Sequence, residues 1–458
     1  MSSTKHLAEL RDLVDSTLWV DTHEHIVEEA DRVQGRLQMP PTFLNGDQGR
    51  VLPDDWTALL QGAYVVDDLL SSGMMQADLD RLLGTELGPA EKWLLVEPYL
   101  RRCRQTGYGR CLDLTTENLV GLRLSRETCE EIDVRLRALR QSGFYRDVFR
   151  IAGIEHCHVN SIVIDPYQET AQPDILRQDI SILGLTTGRH PYAEQQFGIE
   201  VGSLEDYCQL IDAVFERYGP YAVAAKTQWA YNRELLVEFV SPERARAAFD
   251  TLRSDTADAQ ARRAIEDYLF ARCVTRATEH GLPVKLHTGY MAGTNRMPLR
   301  RVHENAIHVS GLLQQFPDTT FVLMHIGWPY DHEYLALAKH HSNAYIDLCW
   351  AWILAPRSTT DFLQAALTTV PSSKLLCFGG DFMTVESTVG HARLARNGLV
   401  SALAELIDGG WLEVAEAVEF VPRLMRDNAR ELFPDRQASP LASTEASASH
   451  LSSFPAQT

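Results

Sequence analysis

Short apolar, β-branched runs alternate along the chain with longer segments of helical periodicity. This alternation is typical of repeated strand–helix units, which form a parallel sheet covered by helices. The pattern predicts eight strands, at residues 17–21, 160–165, 181–185, 222–226, 283–287, 320–325, 344–348 and 375–379. Eight such units predict an α/β fold closed into a (β/α)8 TIM barrel, because a closed sheet has no exposed edge. An open, doubly wound sheet is the alternative.

The interval between the first two predicted strands is too long for a single crossover. Residues 28–150 contain several helical patterns, which predict a helical insertion on the loop after strand 1, over the barrel mouth. A second helical stretch, at 242–280, enlarges the loop after strand 4. We therefore expect one barrel domain over residues 1–436. Residues 437–458 are rich in Ser, Ala, Pro and Thr and are expected to form a disordered tail.

Charge and cysteine content narrow the class of protein. The 458 residues carry a formal charge of −19, which disfavours binding to nucleic acid or to a membrane surface. The eight cysteines form no CxxC pair, and the polar N-terminus lacks the apolar core of a signal peptide. We expect a cytoplasmic, homo-oligomeric protein with reduced thiols that acts on a small-molecule substrate.

Potential metal ligands stand where predicted strands end. Strand 1 ends in Asp21-Thr-His23-Glu-His25, and alternation along a strand places His23 and His25 on one face. An HxH pair alone is a weak signal. However, His287 ends strand 5, His325 ends strand 6, and Asp381 follows strand 8. Barrel enzymes draw their catalytic groups from the carboxyl ends of different strands, so these residues predict one metal site.

At these residues the chain resembles the amidohydrolase superfamily, specifically its amidohydrolase-2 or amidohydrolase-related group. The resemblance runs from DTHEH to about Phe433, skipping much of the insertion. The insertion also resembles uronate isomerases and the amidohydrolase-like part of nodulin–glutamine synthetase fusions. The motifs that carry the resemblance are DTHEH, AAKTQWAYNR, DYLFARCVTRATEHGLPVKLHTG, FVLMHIGWPY and FGGDFMTVES.

The resemblance implies that His23, His25 and Asp381 bind the metal and that His287 completes the shell or hydrogen-bonds a ligand. It places His325 towards the substrate. Imidazole and carboxylate suit Zn²⁺, and also Mn²⁺, Fe²⁺ or Ni²⁺; zinc is the expected ion. Such an ion activates water at neutral pH, with Asp381 as the proton carrier and His325 as a hydrogen-bonding partner of the developing oxyanion or of the water.

Lys226, at the end of strand 4, has three interpretations. In two-metal relatives a strand-4 lysine is carbamylated and bridges both ions. The amidohydrolase-2 group usually has one metal, and we favour one ion and an unmodified Lys226 that holds an anionic substrate group together with Arg233. The third interpretation is a buried pair of Lys226 with Asp165.

Aromatic residues after the strand ends form either a substrate pocket or a packing layer beneath the insertion; Trp229, Tyr231 and Trp328 are the expected substrate contacts. His156 and His158 also form an HxH, but they precede the predicted strand 2. We therefore expect them at the surface of the opposite, stability face. Glu386 either supports the metal site or opens the next helix.

The leading hypothesis for the reaction is hydrolysis of a C–N bond in a small, polar, carboxylate-bearing substrate. The same ligand set occurs in metal-dependent decarboxylases and uronate-type isomerases, so both remain alternatives. A third hypothesis is a barrel without catalytic activity that acts as a binding module. Retention of the complete set of candidate ligands argues against this last reading.

Overall fold

The computed structural model describes residues 2–35, 53–162, 165–254, 256–294 and 297–436, with side chains from residue 7 onward. The predicted tail at 437–458 lies outside the described residues, as do residues 36–52 of the predicted insertion. No helix within the described ranges combines the length and the hydropathy that crossing a bilayer requires.

Within the described residues, nine strands, all paired in parallel, form the centre of the molecule. They are β1 Trp19–Glu24, β2 Ile154–Val159, β3 Leu176–Gln178, β4 Ile180–Ser181, β5 Ala225–Thr227, β6 Val284–Leu286, β7 Phe321–Leu323, β8 Ala344–Asp347 and β9 Leu375–Leu376. Strands β1–β2–β3 pair as one ladder and β4–β5–β6–β7–β8–β9 as another.

Backbone hydrogen bonds join the two ladders at both ends. Only Asp179 separates β3 from β4, and its amide donates to the carbonyl of Val159 while the next amide donates to Ala224. The strands β3 and β4 are therefore one interrupted strand. At the other seam, the amide of Thr22 in β1 donates to the carbonyl of Phe378, just after β9 (3.0 Å). Eight strand positions thus follow each other around a (β/α)8 barrel.

The helices cover the outside of the barrel and its mouth. They are α1 Ser2–Ser16, α2 Glu29–Val33, α3 Ala58–Gly62, α4 Val65–Ser71, α5 Gln76–Leu82, α6 Pro89–Cys103, α7 Gly107–Val120, α8 Cys129–Leu139, α9 Phe144–Ala152, α10 Pro191–Phe197, α11 Leu204–Tyr218, α12 Pro242–Arg253, α13 Ala259–Glu279, α14 Leu299–Gln315, α15 Asp331–His340, α16 Ala351–Leu354, α17 Pro356–Thr369, α18 Ser387–Asp408, α19 Val414–Pro422 and α20 Asn428–Leu432.

Short 3-10 turns occur at Leu185–Thr187, Trp229–Tyr231, Met324–Gly327 and Ser372–Lys374, and Arg423–Asp427 forms a π-helical turn. Local sequence explains several helix starts. Ser203 caps α11, and its neighbour three residues on, Asp206, caps the serine backbone in return. Ser241 caps α12 ahead of a proline, and Asp258 caps α13.

The prediction of strand 2 at 160–165 is wrong. The strand is β2, Ile154–Val159; of the predicted segment, 163 and 164 lie outside the described residues and the others are not strand. The sequence IEHCHV contains polar side chains that obscured its strand character, although every residue except Glu155 is buried. Strand 3 is likewise displaced, because its pairing residues begin at Leu176 and end at Ser181.

This shift also corrects the placement of His156 and His158, which lie within β2 and are buried rather than at the surface. His158 has its Nδ1 3.2 Å from the ammonium of Lys285, and that ammonium donates to Asp179 at 2.9 Å. Burial lowers the pKa of His158 well below its usual value, and the lysine charge lowers it further. The neutral imidazole therefore belongs to a polar network inside the barrel.

A buried charge cluster attaches the insertion to the segment after β9. Arg32 of α2 pairs with Glu386 at 2.5 Å, and Arg140, which follows α8, approaches the same carboxylate at 3.3 Å. All three side chains are at most 3% exposed. Asp54, whose side chain is about half exposed, also pairs with Arg140 and lies 3.8 Å from Arg32. Removing Glu386 would therefore leave both arginines buried, with only this partly exposed carboxylate as a partner.

We expect Glu386→Ala to lower the free energy of unfolding by about 3–5 kcal/mol, because Arg32 and Arg140 would lose their buried counter-charge and keep only the partly exposed Asp54. Chemical denaturation followed by circular dichroism measures this. The matched control is Glu131→Ala, which breaks an exposed pair with Arg135 and is expected to cost about 1 kcal/mol or less. Equal losses in the two variants would contradict the assignment of Glu386 as a structural anchor.

Candidate metal centre

Three potential ligand atoms meet at the carboxyl end of the barrel. The Nε2 atoms of His23 and His25 are 3.2 Å apart, and each lies 3.2–3.3 Å from Oδ1 of Asp381. The two histidines come from β1 and the aspartate from the segment after β9, which are neighbours because the barrel closes between them. A residue separation of more than 350 positions thus becomes a triangle of atoms in van der Waals contact.

The geometry of this triangle fits a metal ion. A cation about 2.1 Å from each of three ligand atoms separates them by roughly 3.0–3.4 Å, depending on octahedral or tetrahedral angles. The three observed edges fall within this interval. Each ligand type, neutral imidazole and carboxylate, is common in sites for Zn²⁺ and related ions.

The tautomer of His25 supports the same conclusion. Its Nδ1 lies 2.8 Å from the carbonyl oxygen of Asn160, which can only accept, so this nitrogen carries the proton. In the neutral ring Nε2 then presents a lone pair to the carboxylate of Asp381. Two acceptors that face each other at 3.2 Å repel unless a proton or a metal cation lies between them, so the arrangement is suited to holding a cation.

His287 and His325 extend the cluster. The carbonyl of Cys349 fixes the proton of His325 on Nδ1 (3.0 Å), and the carbonyl of Tyr290 fixes that of His287 on Nε2 (2.8 Å). The two remaining nitrogens, 2.9 Å apart, both present lone pairs when the rings are neutral. Nε2 of His325 also lies 4.0 Å from Oδ2 of Asp381. All four histidines are thus brought to one cluster.

The electrostatics keep the cluster in its metal-binding form at neutral pH. Burial lowers the pKa of His23 and of His287 well below the usual value and that of His325 to about 4. Burial alone would raise the pKa of Asp381, but its contacts with His23 and His25 outweigh this and hold it well below the usual range. The site therefore combines the neutral imidazoles of these three histidines with an ionised carboxylate.

Cys349 contributes a further potential ligand. Its sulfur, His325 and Asp381 form a second group whose ligand atoms lie within 4.8 Å of one another. The pKa of this thiol is raised well above its usual value, first by burial and then by the charge of Asp381. In the absence of a cation the group is therefore a protonated thiol.

Left-handed backbone conformations are concentrated around this cluster. Among the described residues, six that are not glycine have positive φ, and four of these follow the carboxyl ends of β7, β8 and β9, while a fifth, in the insertion, hydrogen-bonds to Asp381. These five are Tyr64, His325, Ile326, Trp350 and Asp381. Each such conformation costs roughly 1–3 kcal/mol and persists only where surrounding contacts enforce it, a feature frequent at functional sites.

Lys226 stands beside the cluster without a partner. Its side chain is fully buried at the end of β5, and its Nζ makes no hydrogen bond within the described part of the chain. The alternative pairing with Asp165 is therefore not formed through a hydrogen bond there. Burial, partly offset by Asp381, lowers the lysine pKa to about 8. A buried ammonium with unsatisfied donors is a candidate contact for an anionic ligand.

The remaining predicted contacts divide into two groups. Tyr231 and Trp328 lie at the site: the Tyr231 ring is 4.5 Å from that of His287, and Trp328 packs on Tyr290 at 5.3 Å. Arg233 and Trp229, by contrast, make their contacts with helix α13 and the barrel wall.

The guanidinium of Arg233 lies over the Trp229 ring and pairs with Glu266 and Asp267 at 2.8 and 2.6 Å. Trp229 stacks on Phe270 and donates to Thr186. Arg233 thus has two carboxylate partners in the structure. Its expected role, holding an anionic substrate group together with Lys226, stays a prediction.

Comparison with known proteins gives the family. The model of the amidohydrolase family matches residues 191–434, more than half of the chain. The chain belongs to the amidohydrolase family. This confirms the resemblance seen in the sequence motifs.

Solved structures of similar fold cover nearly the whole of this amidohydrolase. The glucuronate isomerase of Caulobacter crescentus has a TM-score of 0.74 at 15% identity, covering 95% of this chain and 96% of that one. The uronate isomerase of Thermotoga maritima has a TM-score of 0.72 at 14% identity, covering 94% and 97%. At such identity the likeness concerns the fold alone.

One curated relative is similar in sequence. Protein fluG of Emericella nidulans is 27% identical over 168 residues, which are 36% of this amidohydrolase and 19% of fluG. The match thus spans about a fifth of that relative's length.

Sequence reasoning missed Tyr64, whose hydroxyl donates to the carbonyl of Asp381, and the roles of Asp21 and Glu24 in DTHEH. Tyr64 lies in a helical insertion without any motif, so no local signal distinguished it. The two carboxyl groups do stand in the motif, where they could have been noticed as buried acids on a strand.

We expect His25→Ala to reduce the metal content of the purified protein strongly, because it removes one corner of the ligand triangle. Inductively coupled plasma mass spectrometry after equilibration with Zn²⁺ measures this. The control is His156→Ala, which removes a buried histidine of β2. Equal metal content in the two variants would contradict the assignment of His25 as a ligand.

Proposed function

We propose that the protein is a metal-dependent hydrolase that cleaves a C–N bond in a small, carboxylate-bearing substrate. The observation that carries the proposal is the triangle of His23, His25 and Asp381, with the unpartnered ammonium of Lys226 beside it. The triangle and the family support a metal-dependent enzyme, and the lysine supports an anionic substrate. We favour one ion, zinc, and a lysine without modification.

Each residue has a distinct part in the proposed reaction. His23, His25 and Asp381 would hold the ion, with His287 completing the set. A divalent cation at this position would supply Lewis-acid polarisation of water or of a substrate oxygen. Lys226 would bind the substrate carboxylate, and Tyr231 and Trp328 would contact the rest of the molecule.

Asp381 can carry the proton. Its Oδ1 faces His23 and His25, whereas Oδ2 faces His325. The ionised carboxylate can take a proton from the attacking water at Oδ2 and deliver it to the leaving nitrogen. His325, held by the carbonyl of Cys349, has a fixed orientation and can hydrogen-bond the water or the oxygen that gains charge.

An isomerase of uronate type is the second candidate. It is favoured by the fold likeness to two uronate-type isomerases, which extends over nearly the whole chain, including the insertion. The hydrolase and the isomerase would use the same ligands and the same lysine, so the two candidates differ in the product formed.

The reaction assay separates the candidates. Metal-loaded protein is incubated with a panel of carboxylate-bearing amides and amines and, in parallel, with uronic acids, while ammonia release and aldose–ketose conversion are followed. We expect ammonia release, and we expect His325→Asn to lower kcat by about 100-fold or more with the metal retained. Aldose–ketose conversion without ammonia release would replace the hydrolase with the isomerase. An unchanged kcat in His325→Asn would contradict the role of that histidine.

The charge of Lys226 predicts a pH dependence of substrate binding. The ammonium is charged below its pKa of about 8 and loses its charge as the pH rises through that value. We therefore expect KM for a carboxylate substrate to increase above pH 8 in the native protein. In Lys226→Met we expect a higher KM throughout and no further increase. A pH-independent KM in the native protein would contradict the role of the lysine.

A further inference from the structure

Hydrogen bonds from several parts of the chain hold the backbone around Asp381. Asp381 has φ +63°, in the left-handed region that residues with a side chain rarely adopt. Its own amide donates to the carbonyl of His23 (2.9 Å), and the carbonyl of the next residue, Phe382, accepts from the amide of His25 (2.8 Å). Strand β1 and the segment after β9 are thus joined residue by residue at the ligand triangle.

Asp21 adds a side-chain contact that spans both halves of the triangle. Its Oδ1 accepts from the amide of His23 (3.1 Å) and from the amide of Gly380 (3.2 Å). One oxygen therefore fixes the amide of a histidine ligand and the amide that precedes the aspartate ligand.

Glu24 holds the other side. Its Oε2 accepts from the amide of Phe382 at 2.6 Å, so the amides before and after Asp381 are each bound to a carboxyl group of the DTHEH motif. A Cβ at Gly380 would lie 1.8 Å from Oε1 of Glu24, so the absence of a side chain at Gly380 is what admits this carboxyl group. Both Glu24 and Asp21 are fully buried.

Tyr64 of the insertion adds a contact to the backbone of Asp381. Its hydroxyl donates to the carbonyl of Asp381, and its ring packs on Trp350 at 4.9 Å. Tyr64 precedes α4 in the insertion and itself has a positive φ of 58°. The insertion thus reaches the backbone of a predicted metal ligand through one hydrogen bond.

We propose that Asp21, Glu24 and Tyr64 are positioning residues that hold Asp381 in its left-handed conformation, so that Oδ1 stays in register with His23 and His25. They act through the backbone of Asp381 and its neighbours rather than by touching the cation. The proposal rests on the proposed function in one respect, that the triangle binds a metal ion. It adds that the spacing and geometry of the site are set by the two acids of DTHEH and by the insertion.

The test uses Co²⁺ as the probe, because its visible absorption reports ligand geometry and competition with a chelator gives its Kd. Glu24→Ala removes the acceptor for the Phe382 amide, whereas Glu24→Gln retains an acceptor oxygen. We expect Kd to increase by about 10- to 100-fold in Glu24→Ala, the usual effect of losing a group that supports a ligand, with a changed absorption band. In Glu24→Gln we expect a near-native Kd and band.

Matched controls separate positioning from general stability. Glu29→Ala removes a glutamate that accepts from the amides of Gly143 and Tyr145, away from the triangle. Tyr64→Phe is compared with Tyr145→Phe, since the Tyr145 hydroxyl donates to the carbonyl of Val27 in the same manner. We expect a higher Kd for Co²⁺ in Tyr64→Phe. In both controls we expect the native Kd, whatever their change in Tm.

Each outcome has a defined meaning. If native protein binds no Co²⁺, the proposed function itself is wrong. If native protein binds Co²⁺ and both Glu24→Ala and Tyr64→Phe keep its Kd and its band, the positioning proposal is wrong. If Glu24→Gln binds Co²⁺ as weakly as Glu24→Ala, the charge of Glu24 matters and its acceptor contact does not. This result would also overturn the positioning proposal. Should Glu24→Ala fail to fold, the near-isosteric pair Tyr64→Phe and Tyr145→Phe decides.

Discussion

The candidate site depends on imidazole nitrogens and a carboxylate that face one another so closely that a proton or a cation must lie between them. Three backbone carbonyls, of Asn160, Tyr290 and Cys349, hold protons on the outer nitrogens of His25, His287 and His325. The inner nitrogens then converge with Asp381, in a position where water is largely excluded. Such an arrangement is unfavourable by itself and becomes favourable around a cation. The rest of the barrel provides the rigidity that keeps these acceptors from moving apart.

Two neighbouring lysines illustrate how the same residue type serves different ends. Lys226 and Lys285 are partners in the register of β5 and β6, and both are fully buried. Lys285 donates to both oxygens of Asp179 and to the carbonyl of Thr22, so its charge is fully matched by the barrel interior. Lys226 has no hydrogen-bond partner among the described residues. The buried lysine–acid pair that the sequence suggested for Lys226 is formed one strand away.

The sequence predicted the fold and the cluster because both are encoded by local pattern. Apolar runs followed by histidine or aspartate identified β1, β6, β7 and β9 and the residues after them that form the cluster. Strand β2 was misplaced because it contains two polar residues, His156 and His158. The residues that accommodate such side chains inside the barrel, such as Lys285 beside His158, are distant in sequence. The carboxylate partners of Arg233 could not be predicted, because only the folded chain brings Glu266 and Asp267 to its guanidinium. Tyr64 could not have been found, since its partner lies 317 residues away.

The two arginines that meet Glu386 have a consequence for the architecture as a whole. Arg32 and Arg140 of the insertion supply the counter-charge for Glu386, a carboxylate of the barrel itself. The insertion therefore cannot be replaced by another helical segment without loss of this charge pairing. Without the insertion, Glu386 would keep its charge and lose both arginine partners, next to the end of the barrel that carries the candidate metal centre. Any insertion transplanted from another protein would need to supply two equivalent cationic side chains. Changes to the sequence of the insertion are therefore limited by the buried carboxylate beneath it.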